Sequence, residues 1–334
     1  MTIINQSRPS AVAAIEENHM NHQVTSKRMI ASVVVIVIAL ALNLLVSSER
    51  AKAQGQVQIT PADPSTQTSA DRSGTNALLD RANRLSRAER WDQAVPLYLQ
   101  ALRVDPSNAT IQNNLGYAYA MLGNLQEAVE AFMQAIKLEP KYEACRYNLG
   151  NVYLKLNKVD AAIEQLSKAI ELKPDYAEAH SDLGNAFTEK GLYSRAISEL
   201  NQALLSKPDF AAAENNLGTV FFDLKKYKEA VRHFGRAALL APDTFKPTYN
   251  LGVANLMLHR YSVAIERLTK AGELAPGDPP THYNLGIAYL GLKNRSASER
   301  EYLILTGLNP LLASRLYEAV HSNLLLVVGP RRKN

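Results

Sequence analysis

Cysteine is almost absent: of 334 residues only Cys145 carries a thiol, which excludes an internal disulfide and any cysteine-built zinc site. Catalytic patterning is missing as well. The histidines His19, His22, His180, His233, His259, His282 and His321 read as scattered, with no common repeat position. None has the His-Glu-x-x-His spacing of a helical zinc site, and no glycine loop is built to cradle phosphate. No acid, base and nucleophile converge, so neither an enzyme, a cofactor nor a metal is expected. Charge of one sign is scarce where a nucleic-acid partner would need it. The net charge is +5. Its excess comes from Arg8, Lys27, Arg28, Arg50 and Lys52 near the start and Arg331, Arg332 and Lys333 at the end, leaving residues 54–330 near neutral. Nucleic-acid binding needs a basic stripe on one face, and the tails do not supply one.

Long apolar runs are lacking except for one, MIASVVVIVIALALNLLV at Met29–Val46. As a helix it spans about 27 Å, close to the ~30 Å of a bilayer core. A polar leader, 1–28, precedes it, and Ala51-Lys52-Ala53 supplies the small residues that signal peptidase reads before Gln54. Lys27 and Arg28 on one side face Arg50 and Lys52 on the other, so loop charge gives weak orientation. Two readings stay open. Residues 29–46 are a transmembrane anchor with the N-terminus inside and the chain after it on the extracytoplasmic side, or a signal segment whose cleavage near Ala53 releases a secreted or periplasmic protein. Residues 47–74 hold the cleavage region and a flexible linker, because Gln54–Gly74 has no apolar periodicity; such a linker reaches about 25 Å.

What fills the remaining length is a repeat. NNLGYAYAMLGNLQEAVEAFMQAIKLEP ends at Pro140, YNLGNVYLKLNKVDAAIEQLSKAIELKP at Pro174 and SDLGNAFTEKGLYSRAISELNQALLSKP at Pro208. Prolines recur at 106, 140, 174, 208, 242, 276 and 310, and Gly116, Gly150, Gly184, Gly218, Gly252 and Gly286 keep the same step. A fixed period of this length marks a solenoid array. Within a unit Leu115, Ala118, Tyr119 and Leu122 mark one helix face, and Ala128, Phe132, Ala135, Ile136 and Leu138 a second. A turn at Gly123-Asn124 separates them, and the closing proline cannot continue the second helix. Small Gly116, Ala128 and Ala135 let two backbones approach, with Tyr119 and Phe132 between them.

These small, aromatic and proline positions resemble the tetratricopeptide repeat family, in seven units over Thr75–Leu312. The resemblance implies an all-α fold, a right-handed superhelical solenoid of helix-turn-helix repeats. The end units depart from the pattern, with Arg81-Ala82 for Leu-Gly, Pro96 inside a helix, and Ser298 and Leu305 for alanines, as end units of a stack do. Residues 313–334 form a capping helix and basic tail. Leu312, Leu316, Ala319 and Val320 make its apolar face, and Leu324–Val328 reads as buried against the last unit or as an exposed patch.

A polar ladder stands immediately before each Leu-Gly: Asn114, Asn148, Asp182, Asn216, Asn250 and Asn284, with Asn151 and Asn185 one turn on. In the family these positions line the concave face. Amides both donate and accept, so the row suits the backbone of an extended peptide, as in the asparagine ladder of O-linked N-acetylglucosamine transferase; as family consensus, it equally suits no ligand at all. Tyr147, Tyr249, Tyr283 and Phe222 are candidate aromatic anchors. The lysine and arginine clamp of chaperone-binding members is missing, since Asn113, Ala144, Tyr147 and Asn148 are neutral and Lys246 stands alone. The expected partner is a protein or peptide bound in the groove by a non-catalytic scaffold, with a membrane contact through residues 29–46 unless cleaved. The alternative is an accessory subunit of an enzyme complex, docked through repeat edges or the C-terminal apolar patch.

Overall fold

The structure, a computed structural model, describes residues 69–322. Those residues form fifteen helices and no strand. They are α1 (Ser69–Arg87), α2 (Trp91–Val104), α3 (Ala109–Met121), α4 (Leu125–Leu138), α5 (Glu143–Lys155), α6 (Val159–Leu172), α7 (Ala177–Glu189) and α8 (Tyr193–Ser206). Then follow α9 (Ala211–Asp223), α10 (Tyr227–Leu240), α11 (Phe245–Met257), α12 (Tyr261–Leu274), α13 (Pro279–Gly291), α14 (Arg295–Leu308) and α15 (Pro310–Ser322). Each odd helix packs on the even helix after it, and each pair packs on the next, which makes the seven-unit solenoid with α15 as its cap. The linker reading ran to Gly74, yet α1 already begins at Ser69. Met29–Val46 and Leu324–Val328 lie outside the described residues, among which no helix is long and apolar enough to cross a membrane.

The period is written into the core. Tyr98, Phe132, Leu166, Leu200, Phe234 and Leu268 share one repeat position and are all essentially fully buried. From Phe132 to Leu268 the glycine sixteen residues earlier makes room for each, and Ala82 holds that place before Tyr98. A Cβ on Gly150 would stand 2.7 Å from the Leu166 side chain, and one on Gly252 2.7 Å from Leu268, closer than packed carbons tolerate. In the last unit that repeat position is held by half-buried Tyr302, and Leu316 of α15 fills the space over Gly286 instead. Leu312, Ala319 and Val320 are buried beside it, so the face expected of the cap is the one it buries. Pro96 sits inside α2, which runs on past it.

Every odd-to-even turn has the same left-handed residue: Glu89, Gly123, Asn157, Gly191, Lys225, His259 and Lys293, with φ between 56° and 81°. Two residues before the next helix gains its first turn, the chain closes back on itself. Asn124 N donates to Tyr119 O (2.9 Å) and Gly123 N to Ala120 O (3.3 Å), the pair of bonds that ends a helix on a left-handed residue.

A polar brace joins the two helices of several units. His180 Nδ1 meets Glu199 Oε2 at 2.7 Å and its Nε2 meets Pro174 O at 3.0 Å. His282 repeats this with Glu301 at 2.8 Å and Pro276 O at 2.9 Å. These two histidines hold equivalent places three periods apart, which corrects the reading of the histidines as sharing no repeat position. In the fifth unit the polarity is exchanged, with Glu214 on α9 and His233 on α10, 2.7 Å apart, and in the third Arg146 reaches Gln165 at 3.2 Å.

Candidate functional site

The ladder residues bond to one another's neighbours. Asn148 Nδ2 donates to Asn113 Oδ1 (3.1 Å), Asn216 Nδ2 to Ser181 Oγ (3.2 Å), Asn250 Nδ2 to Asn215 Oδ1 (3.0 Å) and Asn284 Nδ2 to Tyr249 Oη (2.9 Å). Each bond spans 35 residues, one more than the period, because it runs from the ladder position to the position before it in the preceding repeat. In the first repeat that preceding position is Leu79, which has no side-chain acceptor, and Asn114 Nδ2 donates instead to Asn83 Oδ1 (3.1 Å). At the junction of the third and fourth repeats the ladder residue is Asp182. A carboxylate cannot donate, and here Tyr147 Oη donates to Asp182 Oδ2 (3.1 Å). All six junctions therefore carry a rung. The amide hydrogens expected to face a ligand are engaged between repeats.

Burial separates the expected residues further. Asn250, Asn284, Tyr249 and Tyr283 are at most 1% exposed, and Tyr249 and Tyr283 belong to the apolar cluster of the last repeats with Leu268 and Leu316. The expectation that they present atoms to a ligand is corrected: their place is between helices. Asp182, Asn185 and Asn216 are also buried, while Asn114, Tyr147, Asn148 and Asn151 are half-buried. Phe222 is half-buried, its ring 5.1 Å from that of Tyr227.

One open part of this face lies in the second to fourth repeats. A cavity of about 400 Å³ opens between α3, α5 and α7, with Tyr147, Asn148, Asn151, Asp182 and Asn185 among its lining. It also takes in Tyr117 and Met121, both more than 40% exposed, and Lys155 and Glu189. Sequence reasoning missed these four. Their signal was available, because residues three and seven after a ladder residue share its helix face. That stripe reads Asn114, Tyr117, Met121; Asn148, Asn151, Lys155; and Asp182, Asn185, Glu189.

The electrostatics of the cavity are acidic at its inner end. Burial first, and then the Asp182 carboxylate, hold the Tyr147 hydroxyl well above the usual tyrosine range. Tyr176, its ring 4.9 Å from that of Tyr147, is pushed up to about 12 by burial and then by Glu178, Glu143 and Asp182. Asn185 Nδ2 donates to Glu189 Oε1 (3.2 Å), which orients that carboxylate. Among the described residues no cluster of three or more His, Cys, Asp or Glu is placed to hold a metal ion.

Family models described as tetratricopeptide repeat match residues 79–143 and 215–279, and residues 131–164; a TPR repeat model matches 150–191. The chain is similar in structure to the APC/C hetero-tetramer Cut9–Hcn1, at 20% identity and a TM-score of 0.59, over 73% of this chain and 55% of that one. It thus spans about half of that chain's length. It is also similar to a tetratricopeptide repeat protein from Parabacteroides merdae (16% identity, TM-score 0.59, covering 75% of this chain and 99% of that one). PilF of Pseudomonas aeruginosa is a third (20% identity, TM-score 0.58, 66% and 99%). At these identities the likeness shows the fold. No curated protein sequence gives a significant match.

Proposed function

Because the chain belongs to the tetratricopeptide repeat family, we propose that it is a non-catalytic interaction scaffold that captures an extended peptide segment of a partner protein along its odd-numbered helices. The cavity between α3, α5 and α7 carries this reading. It joins exposed apolar area on Tyr117 and Met121 to amides on Asn151 and Asn185 that lie one turn beyond the rungs. An extended backbone offers alternating N–H and C=O groups, which amides serve in either direction. The ladder amides themselves hold the repeats in register, so the groove is read by the stripe beside them.

The placement of the scaffold belongs to the same proposal. The apolar length of residues 29–46 and the polar linker after them support repeats held on the extracytoplasmic side of a membrane, or released there after cleavage near Ala53. A second reading, an accessory subunit docked by its edge on an enzyme, is favoured by Leu303 and Leu311 at the α14–α15 end, both more than 60% exposed.

The test of the groove is a random peptide library displayed on phage and selected on the full chain. Affinity of the best synthetic, end-capped peptide should fall at least about tenfold in the Tyr117→Ala/Asn151→Ala double variant, the loss of one or two buried contacts, with unchanged helical circular dichroism. Undiminished affinity would sink the groove and leave the edge reading, which Leu303→Ser/Leu311→Ser addresses in the same assay. Placement is checked by membrane fractionation and N-terminal sequencing: a full-length chain recovered only in the cytosol defeats it.

A further inference from the structure

The ladder is uniform except at one junction, and that exception faces the cavity. Five of its six residues are asparagine and one, Asp182, is acidic. The rung does not require the acid, since neutral amides make the same connection at the other five junctions. Asp182 is 5% exposed, with one carboxylate oxygen held by the Tyr147 hydroxyl. Two turns further along α7, about 10 Å away on the same face, Glu189 presents a second carboxylate, steadied by Asn185. Lys155 is the one basic residue in the lining. It is exposed, and so belongs to the rim.

The nature of the occupant follows from what each alternative would leave behind. An apolar side chain seated here would displace water from the half-buried Glu189 carboxylate and offer it nothing in return, which is unfavourable. An acidic side chain would add a third negative charge. A long cationic side chain fits both surfaces at once. Its methylene stem can lie along apolar walls while its head reaches a charge, and the aromatic side chains of Tyr117 and Tyr147 are part of the lining, which favours a cation further. The volume of about 400 Å³ lies in the range of a side-chain or small-ligand pocket.

We propose that the cavity between α3, α5 and α7 takes a lysine or arginine side chain of the captured segment, with its stem on Tyr117 and Met121 and its cation held by the Asp182 and Glu189 carboxylates. This rests on the groove reading above and names what the groove selects.

The probe is the end-capped synthetic peptide from the phage selection, tested on the full 334-residue chain together with versions carrying norleucine or glutamate in place of its basic residue. The selected sequences should share one Lys or Arg. Replacing it by norleucine should weaken binding roughly ten- to hundredfold, the size of a charge-assisted bond, and glutamate should weaken it more. In the D182N/E189Q variant the difference between lysine and norleucine should vanish. Asn is the residue found at 114, 148, 216, 250 and 284, so that variant keeps a ladder amide, and circular dichroism confirms its fold. Equal affinity of the lysine and norleucine peptides, with both weakened by Tyr117→Ala/Asn151→Ala, would overturn the cation and leave the groove standing. Peptides indifferent to Tyr117→Ala/Asn151→Ala, or no selected peptide at all, would overturn both.

Discussion

Ser298 stands on α14 where the six earlier repeats have Ala94, Ala128, Ala162, Ala196, Ala230 and Ala264. It is fully buried, and its hydroxyl has no hydrogen-bond partner. A hydroxyl stripped of water without a partner is destabilising by about 1–3 kcal/mol, and alanine fits the same place throughout the array. Ser298→Ala should therefore raise the thermal unfolding temperature, and a lower value would show that the hydroxyl is satisfied in solution. Cys145, the one thiol, is of the opposite kind. It is completely buried, its Sγ donates to Phe132 O at 3.4 Å, and burial pushes its pKa up to about 12. A thiol in that state is a small core residue with little thiolate for chemistry.

Among the elements, the odd-to-even turns carry a shared strain. All seven need a left-handed residue, a conformation that is unfavourable by about 1–2 kcal/mol for a side chain with a Cβ, and glycine supplies it only at Gly123 and Gly191. Lys225 is exposed and has φ of 59°, so Lys225→Gly should stabilise the α9–α10 unit by about 0.5–1 kcal/mol. Slower amide exchange across α9 and α10 checks this, and faster exchange would contradict it. The helices themselves were legible because Leu-Gly, alanine and proline act on near neighbours within one unit. The rungs were not, because aligning repeats at 34 residues compares like with like and hides a bond from one position to the position beside it in the next repeat. Polar pairs such as Asn113 with Asn148, or Tyr147 with Asp182, declare themselves only at a separation of 35. The start of α1 was hidden for a simpler reason: Ser69 to Asn76 offers one alanine and no larger apolar residue, so periodicity had nothing to register. Tyr249 and Tyr283 were misplaced because an aromatic before the ladder looks the same in sequence whether it faces outward or lies between helices.

At the scale of the molecule, stability is a sum of units and the contacts between them. The last unit leans on one side chain of the cap, Leu316, which is fully buried and closes over Gly286. Leu316→Ala should destabilise by about 2–5 kcal/mol at that site. In a stacked array the loss stays local. Amide exchange should quicken in α13, α14 and α15 and remain unchanged in α3 to α6; a uniform increase would mean that the array unfolds as one body.

The six rungs also give the array a direction. Five of them donate toward the N-terminus, from Asn114, Asn148, Asn216, Asn250 and Asn284, and the Tyr147–Asp182 rung alone donates the other way. A stack of near-identical units would otherwise have no address along its axis. The reversed rung provides one, a single junction, between the third and fourth repeats, at which the connection is made to a carboxylate in place of an amide.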